Sequence, residues 1–439
     1  MSSKIHIHLL FLILFFVNPT QAERLFHSRI NVNYRVTDCL YVNCKVADTL
    51  NPNKKIPFKH TDSVRQTDLA DLFRKVLVHK KQSTADSVRR ASRLVHLSIV
   101  PAAGYSLTTG FAALVGMNLA FYTAKNHDST NLSTGSTNLT FTSEGQILFP
   151  IQTNIWSPGN KYNLITDWRL YKFPQETFGL GGRTSLNKGY TINYSYFRLY
   201  TTVLRKIVSG FYMGLGFDLD YYYTIEEILS AARKKNPRKT TFERYGSGTY
   251  ERASGITLNA LFDTRDNPIN ATKGLYADLV FRSNKKFLGS TSNWKSVILD
   301  IRKYVKIGGS RSVFAFWNYD WITYGGKPPF FDLPNTGGDT YNNSGRGFIQ
   351  GRFRDNQMLY LETEFRYVIT HNGLLGGVLF ANSQSFSRKL SGELNTLNTA
   401  FGIGLRIKLN TFSNTNIAID YGLGLDGSKG LFINLGEVF

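Results

Sequence analysis

The sequence predicts an all-β fold, namely a sixteen-stranded antiparallel transmembrane β-barrel. Short segments of alternating polarity follow one another from Leu94 to the last residue. The composition is rich in Tyr 24, Phe 32 and Gly 38, with only Pro 12. After the first 22 residues no apolar run approaches the roughly 20 residues of a membrane helix. A chain that enters a membrane without such helices does so as a barrel, because closure satisfies every backbone group.

The first residues have the features of a secretory signal peptide. Lys4 precedes an apolar run from Leu9 to Val17, and Thr20-Gln21-Ala22 forms a small-residue cleavage site. We therefore expect a signal peptide over 1–22. Residues 23–94 are expected to form a short periplasmic N-terminal segment with a helix within 62–93, and residues 95–439 to form the barrel.

The two cysteines, Cys39 and Cys44, fall in the exported part of the chain. An oxidising compartment would let them form a disulfide. The competing interpretations are two free thiols, or a metal-ligand pair that lacks the second pair of a zinc site. The histidines are scattered and the sequence has no nucleophile-elbow motif, so we expect no catalytic site, no bound metal, no cofactor and no enzymatic activity.

The chain carries a formal net charge of +21. An exported protein meets anionic head groups and lipid phosphates rather than chromosomal nucleic acid. We therefore expect outer-membrane lipids, including lipid phosphates, as partners and no nucleic acid. The basic run 232–239 follows the helix-like segment TIEEILSA in a predicted extracellular loop. It is either a lipid-phosphate site or a solvated loop.

The alternation is clearest in LYLETEFRYV, residues 359–368. Tyr360, Glu362, Glu364 and Arg366 share one face, and the other face is mainly apolar. Charges on one side of a strand need water or partners, and a barrel lumen supplies both. The segment NIAIDYGLGL likewise directs Asp420 and several small residues inward, which leaves space inside the barrel.

The same pattern gives an even number of candidate strands, as a closed barrel with both ends on one side requires. They lie near 95–105, 108–122, 134–142, 146–157, 161–171, 189–200, 207–222, 251–263, 274–283, 294–305, 312–321, 358–369, 373–382, 397–408, 416–425 and 430–439. Short connections alternate with long ones at 224–250 and 322–357. The connection 123–133 is long where a short turn is expected.

Three motifs carry a family resemblance: LFDTRDNPINATKGLYADLVF, GRGFIQGRFRDN followed by LETEFRYVI, and IDYGLGLDGSKGLFINLGEVF. Together they resemble the BamA/TamA-type outer-membrane assembly barrels, the bacterial surface antigen family, over roughly 345 residues. The resemblance implies the outer membrane of a Gram-negative bacterium and a role in inserting or exporting outer-membrane components. The chain would be a member without recognisable POTRA domains.

In that family a long extracellular loop folds back into the barrel, with an Arg-Gly-aromatic tip against an acidic residue. The resemblance maps the tip onto Arg346, Gly347 and Phe348, and the acid onto Glu364. Where the family tends to have F-x-D-x-G, this chain has FANSQ, with Asn382 in place of the acid. We expect Arg346 to lose a carboxylate partner there, and Asn382 to accept a hydrogen bond instead.

The last residue, Phe439, ends the final predicted strand. It resembles the C-terminal signal by which outer-membrane barrels are themselves inserted. An ordinary interfacial aromatic is the alternative.

Three functions remain open at this point. The first is assembly or translocation of client outer-membrane proteins through a weak seam between the first and last strands. The second is a structural barrel that docks an envelope partner protein, and the third is a diffusion channel. A plugging loop disfavours the channel, and fold alone does not decide among them.

Overall fold

The computed structural model describes residues 66–69, 95–106, 109–124, 130–229, 239–246, 248–308, 310–389, 396–411 and 414–439. The predicted signal peptide, Cys39 and Cys44 lie outside the described residues. So do nearly all of the predicted helix within 62–93 and all but the last residue of the basic run 232–239. Within the described part, no helix is long and apolar enough to cross a membrane.

The described strands form one antiparallel sheet that curls into a nearly closed barrel, which confirms the predicted fold. Sixteen strands make the wall, and a short seventeenth, β6, pairs only with the start of β7. The strands are β1 (Val95–Ser106), β2 (Gly110–Phe121), β3 (Ser133–Thr142), β4 (Ile147–Trp156), β5 (Tyr162–Lys172), β6 (Gln175–Thr177), β7 (Tyr190–Val208), β8 (Phe211–Ile228), β9 (Glu251–Asp263), β10 (Gly274–Asn284), β11 (Trp294–Lys306), β12 (Val313–Tyr324), β13 (Gln357–Val368), β14 (Leu375–Ser387), β15 (Asn398–Asn410), β16 (Thr415–Gly424) and β17 (Lys429–Leu435).

Each wall strand pairs with the next along the chain, except where the barrel would close. Within the described residues of β1 and β17 there is no backbone pairing between the two strands, which pair only with β2 and β16. They nevertheless lie side by side, because a Cβ built on Gly104 would stand 3.5 Å from the Cβ of Ile433. The barrel therefore has one unsealed seam, between β1 and β17.

The wall has an apolar outer face and a polar inner face, as the alternation predicts. Large apolar side chains alternate outward along the strands and stay exposed, among them Phe111, Leu215, Ile256 and Ile403. A lipid environment would cover such a band. The inward positions hold buried arginines and carboxylates instead.

The connections define two ends of the barrel. At the turn end, where β1 begins and β17 ends, most connections are short, although 122–132 is long, as the sequence showed. At the loop end, which this architecture directs outside the cell, the longest connection is 325–356, here named the lumenal loop.

Two expectations about β7 and β8 were wrong. The two strands run further than predicted, so their connection is the two-residue turn Ser209–Gly210 rather than 201–206. The segment Thr224–Ile228 continues β8 and is not helical, because it pairs with β7, with Ile228 opposite Thr191. The described part of this connection contains the helix α1 (Thr241–Tyr245), which begins with a capping box between Thr240 and Glu243.

The last strand is also shorter than predicted. β17 ends at Leu435, and Gly436 adopts the left-handed conformation with φ +101. The chain then turns inward, so that the side chain of Glu437 and the residue Phe439 are buried inside the barrel instead of continuing the wall. On this side of the seam, the edge of the barrel is therefore formed by the seven residues of β17.

Short 3₁₀ turns and an aromatic cluster organise the loop end. The 3₁₀ turns of this end are Leu186–Lys188, Lys286–Leu288 and Phe330–Asp332, whereas the 3₁₀ turn Pro158–Asn160 joins β4 to β5 at the turn end. Phe330 and Phe331 of the lumenal loop pack against Phe242 of α1, Tyr194 of β7 and Tyr222 of β8. This cluster covers one side of the barrel mouth.

At the turn end, the short described segment 66–69 contacts the barrel rim. The backbone N–H of Thr67 donates to the carbonyl of Asn372 at 3.3 Å. Asp68 accepts hydrogen bonds from the backbone and hydroxyl of Thr411, both at 3.1 Å. These contacts fix the segment beside two turns of the wall.

Candidate functional site

The centre of the lumen is occupied by the tip of the lumenal loop. The tip residues Arg346 and Phe348 are buried, and Gly347 lies between them in the left-handed conformation with φ +103. The backbone N–H of Gly345 donates to the hydroxyl of Tyr360 at 3.0 Å. The loop thus descends from the mouth to the inner wall.

Arg346 contacts three carboxylates. Its guanidinium donates to Glu362 and Glu364 of β13 and, at 2.6 Å, to Asp420 of β16. The guanidinium also lies over the ring of Phe380, 3.9 Å from its centroid. A planar guanidinium suits this role because its several donors diverge toward separate acceptors.

Two further arginines extend this contact into a network. Arg366 donates to Glu364 at 2.6 Å, and Arg406 donates to Asp420 at 2.5 Å. Arg406 also donates to Glu437 of the inward-turned C-terminal segment, at 2.7 Å. The loop tip and the C-terminal segment are therefore held by the same buried ionic cluster, here named the lumenal cluster: Arg346, Arg366, Arg406, Glu362, Glu364, Asp420 and Glu437.

Glycines on β16 make the close approach of the tip feasible. A Cβ built on Gly422 would stand 2.7 Å from the backbone nitrogen of Gly347, and one on Gly424 2.7 Å from the ring of Phe348. Real Cβ atoms do not approach other atoms so closely. The small inward residues that the sequence placed on this strand thus leave the space that the tip fills.

The structure brings together all the predicted tip residues and Glu364, but it differs in the role of Asn382. Its side-chain amide donates to the backbone carbonyl of Arg346 at 2.8 Å, rather than accepting from the guanidinium. Glu362 and Asp420 are two further carboxylate partners of Arg346 besides Glu364. The alternation of side chains along each strand predicted that these carboxylates point inward. It did not predict that they contact the same arginine.

Higher in the loop, two more arginines join it to its surroundings. Arg352 donates to Asp426 at 2.8 Å and to the hydroxyl of Thr184 at 2.7 Å. Arg354 donates to the side-chain oxygen of Gln175 in β6 at 3.3 Å, and to the carbonyl of Phe330 within the loop at 2.8 Å. Burial lowers the pKa of both arginines, and for Arg352 the nearby Asp426 opposes this shift.

Phe439 lies in the lumen. Its ring stacks on Trp317 with centroids 5.2 Å apart, and its backbone oxygen accepts from Arg366 at 2.8 Å.

The described residues contain no group of three or more His, Cys, Asp or Glu side chains arranged to hold a metal ion. The ion pairs of Arg346, Arg366 and Arg406 make the lumenal cluster a site of charge pairing between the loop, the wall and the C-terminal segment.

Comparison with known proteins identifies the family. A family model described as the Omp85 superfamily domain matches residues 116–428, more than two thirds of the chain. The chain belongs to the Omp85 superfamily. This confirms the resemblance found in the sequence and places the protein in the outer membrane of a Gram-negative bacterium. Omp85 barrels are assembly and transport proteins rather than enzymes, which agrees with the expectation for this chain.

Solved structures share the fold at low sequence identity. BamA from Haemophilus ducreyi lacking POTRA domains 1-3 superposes with a TM-score of 0.50 at 12% identity, covering 84% of this chain and 82% of that one. CdiB from Escherichia coli gives a TM-score of 0.51 at 10% identity, covering 78% and 62%. CdiB from Acinetobacter baumannii gives 0.50 at 12%, covering 79% and 60%. The chain thus spans about three fifths of the CdiB chains. No curated protein sequence matches.

Proposed function

We propose that this Omp85 barrel aids the insertion or export of outer-membrane components, with the seam between β1 and β17 as the place where a client engages. The observation that carries the proposal is the unpaired edge of the two seam strands. Unpaired N–H and C=O groups on a strand edge are a template for a further strand, and strand addition is a common way of recognising extended chains.

The inward turn at Gly436 supports this proposal. β1 has 12 residues, whereas β17 has only seven because Glu437 is held in the lumen by Arg406. β17 therefore stops before it reaches the turn end. The residues of β1 nearest the turn end have no residues of β17 opposite them. A client strand could pair with that edge without first displacing a complete ladder of hydrogen bonds.

The filled lumen argues against a diffusion channel. The loop tip, the buried lumenal cluster and Phe439 together occupy the path through the barrel. Movement of a client along the wall at the seam needs no continuous pore. Phe439 remains our candidate for the C-terminal signal of this barrel's own insertion, provided that the segment after Gly436 is released from the lumen at that stage.

Depletion of the protein tests this function. We expect quantitative proteomics of the outer membrane to show loss of a defined set of other barrels or surface lipoproteins, with recovery when the intact chain is supplied. An unchanged profile would contradict the assembly role and favour a barrel that docks an envelope partner.

A further inference from the structure

A cleft opens at the loop end, away from the lumenal cluster and the seam. It lies between residues 180–184, Asp355 of the lumenal loop, the residues 386–389 at the end of β14, and Thr396. Its volume is about 480 Å³. Clefts of this size hold small ligands, and this one opens on the side of the barrel that faces the cell surface.

The described residues that line the cleft carry an excess of positive charge. Its lining includes three exposed cations, Arg183, Arg388 and Lys389, against one carboxylate, Asp355. Three positive charges and one negative charge leave two positive charges in excess among these residues. One oxygen of Asp355 already accepts a hydrogen bond from the backbone N–H of Asn356, at 2.8 Å. An anion is therefore the ligand that this charge distribution favours.

Both walls of the cleft are held in place by hydrogen bonds from outside it. Arg352 donates to the hydroxyl and to the carbonyl oxygen of Thr184, each at 2.7 Å. On the opposite wall, the side-chain amide of Asn356 donates to the carbonyl of Arg388 at 3.0 Å. Fixed walls reduce the conformational entropy that is lost when a ligand binds. This favours the cleft as a binding site over a solvated loop.

We propose that this cleft binds a phosphorylated sugar. Arg388 and Lys389 pair with the phosphate oxygens, since guanidinium and ammonium groups form charge-assisted hydrogen bonds with phosphate. The hydroxyls of Thr184, Ser387 and Thr396 line the same cleft and can exchange hydrogen bonds with sugar hydroxyls. The ligand comes either from the head group of an outer-leaflet glycolipid or from a soluble sugar phosphate.

The test uses the full chain in lipid nanodiscs. One arm measures retention of a diphosphorylated glucosamine-disaccharide lipid by native mass spectrometry, against the same lipid without phosphate. The other arm measures glucose 6-phosphate against glucose by calorimetry. Binding in the first arm identifies the lipid source and binding in the second arm the soluble source. No phosphate-dependent binding in either arm would overturn the proposal.

Two matched double variants locate the site. R388A/K389A should weaken the phosphate-dependent binding by about tenfold or more, because two charge-assisted contacts are lost. K285A/K286A removes the same charge from another connection at the loop end and should change binding by less than about twofold. Equal losses in the two variants would show non-specific attraction to the basic surface and would also overturn the proposal. Heat-modifiability on gels verifies that each variant is folded.

Discussion

Replacing Arg346 by alanine is expected to lower the free energy of unfolding by about 3–5 kcal/mol, the range for removing one partner of a buried ion pair. Glu362, Glu364 and Asp420 converge on this one side chain, and Arg346 itself is only 1% exposed. Without the guanidinium, three buried carboxylates would lie close together, with only Arg366 and Arg406 left to offset their charge. The measurement is urea unfolding of the barrel refolded in detergent micelles, followed by tryptophan fluorescence.

Two further variants separate the role of Arg346 from that of charge in general. R346K keeps the charge but loses the planar array of donors, so we expect an intermediate loss of stability. K286A removes a positive charge from an exposed side chain and should change stability by less than about 0.5 kcal/mol. If R346A unfolds at the same urea concentration as K286A, the lumenal cluster does not anchor the loop.

Replacing Gly422 by alanine is expected to push the loop tip away from the wall and to cost about 1–3 kcal/mol, as overpacking of a close contact does. The new Cβ would stand 2.7 and 2.8 Å from the backbone nitrogen and Cα of Gly347. Backbone atoms cannot move aside as a side chain can. Besides the lower stability, we expect trypsin to cleave within the lumenal loop, which carries Arg346 and Arg352.

Gly135 provides a matched control on another wall strand. A Cβ built there meets nothing closer than 3.9 Å, so the same glycine-to-alanine change meets no obstacle. G135A should be neutral or slightly stabilising, by up to about 1 kcal/mol, because alanine restricts the unfolded chain. A trypsin pattern of G422A that matches those of G135A and the unchanged chain would contradict the packing of the tip against β16.

The period of two along each strand was sufficient to predict much of the wall and part of the site. It placed Glu362, Glu364 and Asp420 in the lumen because a strand alternates its side chains strictly. The family resemblance then identified Arg346 as the partner of Glu364. β13 and β16 meet at one guanidinium because of barrel closure and the path of a long loop. A local sequence pattern predicts neither of these.

The errors of prediction arise where contacts between different strands outweigh the local sequence pattern. The sequence of β17 continues to alternate through Glu437 and Phe439, so nothing in its period marks Gly436 as the end of the strand. The turn there is favoured by contacts distant in sequence, chiefly Arg406 with Glu437. The segment after Thr224 has residues with helical propensity, yet pairing with β7 outweighs that weak preference.

A disulfide across the seam tests the central claim most directly. In a chain with Cys39 and Cys44 replaced by serine, G104C/I433C would join β1 to β17, since the Cβ atoms stand 3.5 Å apart, within the range of disulfides. The control L119C/G135C joins β2 to β3 across a Cβ distance of 3.9 Å, where the wall is already paired.

Each variant is supplied to cells depleted of the original protein, and the outer-membrane proteome is measured with and without reductant. The account predicts that the seam disulfide prevents recovery of the components lost on depletion, that reductant restores them, and that the control variant supports recovery throughout. Full recovery with the seam demonstrably cross-linked would contradict the claim that clients engage the barrel between β1 and β17.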